Sequence, residues 1–491
     1  MSDHRDWFRY VLEILRFIVF SGFAVLSIRV IFITLTHCTL PAFIGVTGYL
    51  VLWTGLMLWR KEWALYGFAA AIPVISGLQL LGLLSWVSLL SLGFSAMFLV
   101  WFGWEVLGQG KRLSSGSLIG NLVDLLAGLV LLSLVMLLVS GQYPLDFIMD
   151  RLLADRFSGQ AQPLYGVDGT YILLQGMFFF RILTHGGAGE RILDRIWQVM
   201  LFQAAAIICF SLVQTVFHIP MTNKRSVLVH APFEDVHSYG SYLVLLFFAL
   251  LGMCLSRGKR RIAAIVLSLC LLGFVFLSAS FAAMGAVFIV GCVYMATQWR
   301  HGRTAVAVFA GLAALVLVWN HMYPTWVNSL EGKLAARYAR GATIEKMIDK
   351  LGGRFMSADQ ALGIIQTFPI TGSGVGTFYR ISRYYHFSDT PHPHRIENAH
   401  NYYLQFCADL GIPAFLIFLA IIILAFKHGI ARLRRAGAAD AALMKGVLFG
   451  LAAYLITMVT GHPLLLSNQQ FLFWFVLAVV ALPGIRKSVH A

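Results

Sequence analysis

The chain has 491 residues, of which 59% are hydrophobic and 12% charged, and its formal net charge is +15 at pH 7. A soluble domain averages about 25% charged residues, so the composition excludes an ordinary soluble protein. No basic, aromatic-interleaved polar domain accompanies the positive charge, which excludes nucleic acid as a partner; the apolar stretches are continuous rather than alternating, which excludes a β-barrel.

In chain order, apolar runs occur at 14–36, 40–59, 64–84, 86–107, 118–140, 169–184, 195–217, 237–256, 262–278, 281–299, 304–320, 403–426, 441–460 and 469–485. Each is near the length that a hydrocarbon core of ~30 Å demands of a helix. The expected fold is an all-α polytopic membrane protein of about 12–14 transmembrane helices. The first run follows a charged segment and is long enough to remain as a span rather than a cleaved signal. Basic residues at Arg60, Lys61, Lys111, Arg112, Arg257, Lys259, Arg260, Arg261, Arg300, Arg303, Lys427, Arg432, Arg434, Arg435, Arg486 and Lys487 fall on one side of the spans. The positive-inside rule makes that side cytoplasmic and places the 141–168, 218–236, 321–402 and 461–468 loops outside. The chain then divides into N-terminal spans at 1–194, central spans at 195–320, one long periplasmic loop at 321–402 and C-terminal spans at 403–491.

The external loops carry pattern of their own. Leu145, Ile148, Met149, Leu152 and Leu153 recur at helical spacing, as do Leu330, Leu334, Tyr338, Ile344, Met347 and Ile348, so amphipathic helices are expected at 143–157 and 327–350. Gly352-Gly353 is expected to break the second, and a further short helix at 355–367 ends before Phe368-Pro369. The six cysteines (38, 209, 254, 270, 292 and 407) show no ligand-like spacing and read as small buried hydrophobes. Arg181 lies near enough to the cytoplasmic end of its run to snorkel, whereas Arg29 is a charge inside an apolar run, where charge is functional by default.

Chemistry concentrates in the long loop. Gly372-Ser373-Gly374-Val375-Gly376 lacks the lysine ending of a phosphate-binding loop and has no strand-and-helix setting, so it reads as a tight turn or a close backbone approach. His392, His394, Glu397 and His400 have zinc-type donors, but Pro391 and Pro393 keep the first two histidines extended and pointing apart; no metal site is expected. His386, His392 and His394 read as solvated loop histidines. His400 stands where the loop meets an apolar run, followed by Asn401, Tyr402 and Tyr403, and is either a tuned base or a residue that caps its helix. Lys224, Arg225, Arg337, Arg340, Arg354, Arg380, Arg383 and Arg395 form an external basic set suited to a lipid pyrophosphate or, for any one of them, an ordinary solvated face.

Three strings taken together resemble one family. Gly353-Arg354-Phe355, the run from Phe368 to Phe378, and Ala399-His400-Asn401-Tyr402-Tyr403-Leu404 with Gly411 occur in the order and spacing of the O-antigen ligase and polymerase superfamily of bacterial membrane glycosyltransferases. A weaker echo is the stretch 233–243, where His237 takes the place of a frequent asparagine. The resemblance runs from about 195 to 480. One departure is Phe281, which stands where the family often has an arginine; set against the resemblance, this implies that Arg225 or Arg354 takes the pyrophosphate task, or else that the chain is of a polymerase or exopolysaccharide branch or is an inactive copy, and it counts against a typical lipid A-core ligase.

The resemblance implies an enzyme of the bacterial inner membrane whose active site faces the periplasm. It transfers or polymerises a glycan from an undecaprenyl-pyrophosphate donor onto an acceptor hydroxyl of lipid A-core, of another lipid-linked unit or of protein, with inversion and with neither metal nor cofactor. It implies His400 as catalytic residue, Arg354, Arg225 and Arg380 around the donor pyrophosphate, and Asn401, Tyr402, His237, Gly374 and Gly376 in support. The lipid bilayer and other polysaccharide-assembly proteins are the further partners implied. Ligase, polymerase and protein oligosaccharyltransferase all remain open. A reading from another class, a lipid-linked glycan transporter or flippase, fits less well, because transporters place polar sites at mid-membrane in related halves.

Overall fold

A computed structural model describes residues 2–36, 38–80, 88–111, 113, 117–140, 166–185, 188–217, 232–233, 235–254, 259–278, 280–297, 344–388 and 398–482. Among them there is helix and no strand: α1 Ser2–Thr36, α2 Leu40–Trp59, α3 Lys61–Leu80, α4 Leu89–Trp101, α5 Leu118–Val139, α6 Gly166–Thr184, α7 Ala188–Phe217, α8 Val236–Met253, α9 Lys259–Leu277, α10 Phe281–Thr297, α11 Ile344–Thr367, the short α12 Phe378–Ile381, α13 Tyr402–Leu433, α14 Ala438–Thr457 and α15 Ser467–Ala481. α4 continues as a π-helical stretch over Phe102–Gly108. Among the described residues, eight helices are long and apolar enough to cross a membrane, and three shorter apolar ones lie within α9, α10 and α15. The protein is thus a polytopic all-α membrane protein. The expected helix at 143–157, the span at 304–320, and Arg225, His392 and His394 lie outside the described residues.

Polar side chains open several helices. Ser88, Ser117, Asp235 and Asn401 each accept a hydrogen bond from the backbone N–H three residues on, at the starts of α4, α5, α8 and α13. α4, α6, α8 and α15 are buried along almost their whole length, as expected of helices apolar all round. α8 and α14 approach closely through glycine: a Cβ on Gly252 or Gly446 would lie 2.4 Å from the Ala442 oxygen or 2.5 Å from the Phe248 oxygen.

Contacts sort the helix ends into two groups. At one end, Lys61 and Lys111 pair with Glu105 at 2.8 and 3.5 Å, and Arg432 donates to the Val479 carbonyl at 3.2 Å. At the other end, the Tyr402 N–H donates to the carbonyls of Met458 and Gly461, and Gln469 Nε2 donates to the Ser238 carbonyl at 2.9 Å. The basic loops and His400 therefore occupy opposite ends of the bundle, as the charge pattern predicts.

Four expectations need correction or completion. Arg181 does not snorkel: it is 1% exposed, and its Nε donates to Asp124 Oδ1 at 2.5 Å, while Arg16 Nε reaches Asp124 Oδ2 at 3.0 Å. A carboxylate on α5 removes the need to reach water. α11 runs unbroken through Gly352-Gly353; glycine costs a helix about 1 kcal/mol each, which does not stop a helix held by tertiary packing. Cys254 and Cys407 are buried, but Cys209 and Cys292 are exposed on the outside of the bundle, where apolar side chains face lipid. Arg29 is half-buried, and its Nη2 makes no hydrogen bond among the described residues.

Candidate functional site

The site is assembled where the external segment docks on the entry of α13. Ser357, Gln360, Ala361 and Ile364 give α11 a buried face. Ala361 and Ile364 pack with Phe378, Ala399 and Ala408 into a small core of their own, with Phe368, Tyr385 and Leu404 at its edge. Asp359 ties down the far side, its Oδ1 accepting from the Ser388 N–H at 2.8 Å and its Oδ2 lying 3.5 Å from His386 Nδ1. His386 is therefore a structural residue, not a solvated one.

The glycine turn locks into a break in α13. Gly411 has φ 82° and ψ 169°, outside helical geometry. The Ile412 N–H, freed by the break, donates to the Pro369 carbonyl at 2.8 Å, while the N–H groups of Ser373 and Gly374 donate to the carbonyls of Ala408 and Asp409, both at 2.9 Å. Val375 N–H donates to Ser133 Oγ on α5 at 3.3 Å. Gly374 and Gly376 have φ 101° and 74°, and the Gly376 N–H donates to Asp409. These N–H groups are taken up by protein acceptors, so the string is a turn that fastens the loop rather than a phosphate cradle. A Cβ at Gly411 would stand 2.2 Å from the Ile370 oxygen. Gly411→Ala is expected to lower stability by about 1–3 kcal/mol, the range for a residue forced into glycine-only backbone. Thermal unfolding in one detergent checks this, and a wild-type melting point would mean that the kink is not required.

That fastening fixes the chain just ahead of α13. His400 is half-buried and sits at φ 48°, the one non-glycine residue with positive φ among the described residues. Its N–H donates to Asn398 Oδ1 at 3.0 Å. Ala399 N–H donates to Gln405 Oε1 at 2.9 Å, and Gln405 Nε2 donates to Asp409 Oδ2 at 3.1 Å. Asn401 caps the helix, its side chain accepting from the Leu404 N–H at 3.1 Å. Tyr402 is buried on Phe406 and Phe418. Asn401 and Tyr402 thus fix the start of α13 directly after His400.

Around that ring the fold gathers groups that the sequence pattern does not single out. His462, in the turn between α14 and α15, stacks edge-on to His400 with ring centroids 5.7 Å apart, and its Nε2 lies 3.4 Å from Asn398 Nδ2. Asp235 and His237 approach from the start of α8. Burial works against charge on Asp235, but His237, the Ser238 N–H and His462 outweigh it and hold its carboxyl below the usual range. Burial, together with His400 and His237, outweighs Asp235 and pushes His462 down to about 4. The only sequence sign of His462 is a Gly-His-Pro string in a short inter-span loop. Asp235 shows only as a helix cap.

The predicted arginines are placed less closely. Arg354 is exposed on α11. It stands three residues before buried Ser357 and seven before Ala361, so it continues the face that packs on α13 past its last contact. Arg380 is exposed on α12, next to the small core through Phe378. Phe281, where an arginine was expected, is half-exposed, and neighbouring Ser280 faces α8 at Gly240. Among the described residues no group of three or more histidine, cysteine or acidic side chains is arranged to hold a metal ion.

A family model described as O-antigen ligase matches residues 263–419, a stretch that contains Arg354, the glycine turn, His400 and Gly411 but not Asp235, His237 or His462. No curated protein matches the chain. The motif order and the family match agree: residues 263–419, which hold the docked loop and the start of α13, are similar to the O-antigen ligase family.

Proposed function

We propose that this protein is a glycosyltransferase of the bacterial inner membrane that moves a glycan from undecaprenyl pyrophosphate to an acceptor hydroxyl on the periplasmic face. The observation that carries the reading is His400, held in a left-handed turn at the end of the bundle away from the basic loops, inside the segment that matches the ligase family. The acceptor oxygen attacks the anomeric carbon, the bond from that carbon to the pyrophosphate oxygen breaks, and undecaprenyl pyrophosphate leaves. The hydroxyl proton passes to the free imidazole nitrogen of His400. A single displacement of this kind inverts the anomeric centre. Arg354, with Arg380 and Arg225, is assigned to the pyrophosphate, where planar guanidinium groups offset the charge growing on the leaving oxygen. The acceptor is a sugar hydroxyl of lipid A-core or of a growing surface polysaccharide.

The deciding experiment is the surface-glycan profile of a deletion strain. Loss of long chains with a single repeat still attached identifies a polymerase, unattached lipid-linked polymer identifies a ligase, and an unchanged profile overturns the proposal. The side of the site is tested separately. Ser388 is exposed, and in a variant with Cys209 and Cys292 replaced by serine, Ser388→Cys is expected to react with a membrane-impermeant maleimide in intact spheroplasts. Reaction only after lysis would place the site in the cytoplasm and remove the donor assignment. For the arginine, Arg354→Ala is expected to reduce transfer about tenfold or more, the effect of losing one charge-assisted contact of roughly 1.5–3 kcal/mol, with partial recovery in Arg354→Lys. Full activity in the alanine variant would take Arg354 out of the site.

A further inference from the structure

Asn398 links the two histidines in a way that fixes the hydrogens on both sides. The amide is buried, 6% exposed. Its oxygen accepts from the His400 N–H at 3.0 Å, so its NH2 group must be the side that faces His462 Nε2 at 3.4 Å. An NH2 group only donates, so Nε2 of His462 is a bare acceptor and the ring hydrogen sits on Nδ1. That Nδ1 is buried and makes no hydrogen bond among the described residues. His462 is itself held in place: the Tyr402 N–H is bonded to Met458 and Gly461, and the Leu465 N–H donates to the His462 carbonyl at 3.1 Å. Both ends of the link are thus anchored, one on α13 and the other on the α14–α15 turn.

We propose that Asn398 and His462 are the positioning pair for His400: the His462 lone pair orients the Asn398 amide, whose oxygen holds the left-handed turn that presents His400 to the acceptor, while His462 itself takes no proton. This rests on the assignment of His400 as base. The groups that face His462 are Asp235 and His237 from the start of α8 and His400 from the entry of α13. Burial, with His400 and His237, pushes His462 down to about 4, which makes it a poorer proton acceptor than an ordinary imidazole. Asp235 and His462 come from outside the stretch that matches the family model, so the matched domain alone does not contain the pair.

The test uses the full chain in nanodiscs, with lipid-linked glycan extracted from the deletion strain as donor, membrane extract of that strain as acceptor, and release of undecaprenyl pyrophosphate as readout. His462→Phe keeps a ring but removes the lone pair. It is expected to lower kcat about 10²-fold, the usual effect of a small displacement of a reacting group, with KM for the donor unchanged. His462→Gln restores an acceptor for the Asn398 amide and is expected to recover most of kcat, with the acid limb of the pH profile where wild type has it. If His462→Phe does not assemble, Asn398→Ala breaks the same link from the other side and is expected to give the same fall in kcat. Wild-type turnover in both His462→Phe and Asn398→Ala would reduce the link to packing. A glutamine variant as slow as the phenylalanine one, or a shifted acid limb, would mean that His462 handles protons and would overturn the positioning role. His400→Asn is run alongside. If it keeps wild-type turnover, the base assignment fails, whereas an inactive His400→Asn beside a fully active His462→Phe defeats only the pair.

Discussion

His400→Asn is expected to lose about 10²–10⁴-fold in transfer rate, the share that a positioned general base contributes. Asparagine is the informative replacement because of the backbone. At φ 48° most side chains strain the turn, whereas asparagine enters the left-handed region readily. The variant keeps the turn and the cap that follows it, yet offers no group able to take a proton near neutral pH. Alanine conflates the two losses. The wild-type rate should fall as pH drops through the imidazole range, since a charged ring has no free nitrogen for the acceptor proton. The measurement is turnover of lipid-linked glycan at saturating donor for wild type and the asparagine variant at matched assembly. Equal turnover would show that His400 shapes the entry of α13 and that the acceptor attacks without a base from this residue.

Asp124→Ala should destabilise the bundle by about 3–5 kcal/mol, the cost of stripping the partner from a buried ion pair. Asp124 is 7% exposed and is contacted by Arg16 and Arg181, themselves 6% and 1% exposed. Arg16 also donates to Asn121 Oδ1 at 2.7 Å, and Arg181 Nη2 donates to the Leu113 carbonyl at 2.5 Å. Arg16 keeps an ion pair with Glu13 at 2.7 Å, whereas the Leu113 carbonyl gives Arg181 a hydrogen bond but no charge, so removing the carboxylate leaves chiefly the Arg181 guanidinium uncompensated among apolar helices. Asp124→Asn keeps the acceptor oxygen and should fall between alanine and wild type. Thermal unfolding of the three proteins in one detergent tests the order. An alanine variant that melts with wild type would mean that water reaches both arginines and that the cluster is solvated.

Much of the helical plan is legible from apolar run length. The run at 40–59 coincides with α2, and α9 and α10 begin within three residues of expectation and keep the tight break between them. The ends shift where polar side chains extend a helix past its apolar part, as when α7 starts at Ala188 and α13 ends at Leu433. Hydropathy is blind to such turns. It is equally blind to which face of a span meets lipid, which is why Cys209 and Cys292 were misplaced, and to distant counter-charges such as Asp124 for Arg181. In the site, His400 stands out because a polar loop meets a span there, and Arg354 because of the Gly-Arg string. His462 and Asp235 do not stand out: each sits in an ordinary inter-span turn, and their relation to His400 exists only once α8, α13 and α14 are packed. The glycine string reads correctly as a turn, but its partner, the break at Gly411, lies 35 or more residues away and shares no periodicity with it.

The break at Gly411 also decides which part of the molecule His400 follows. An unbroken helix is a stiff rod, and a tilt at one end swings the other by an amount set by ~1.5 Å per residue of lever arm. α13 is two rods joined at a dihedral hinge. The long one, from Ile412 onward, lies in the bilayer and must adjust when membrane thickness or lipid order changes. The short one, Tyr402–Leu410, is pinned by the glycine turn on one side and by Met458 and Gly461 on the other. Its coordinates are referenced to that end of the bundle, so the long rod can lean as the lipid requires while the imidazole keeps its place beside Asn398 and His462.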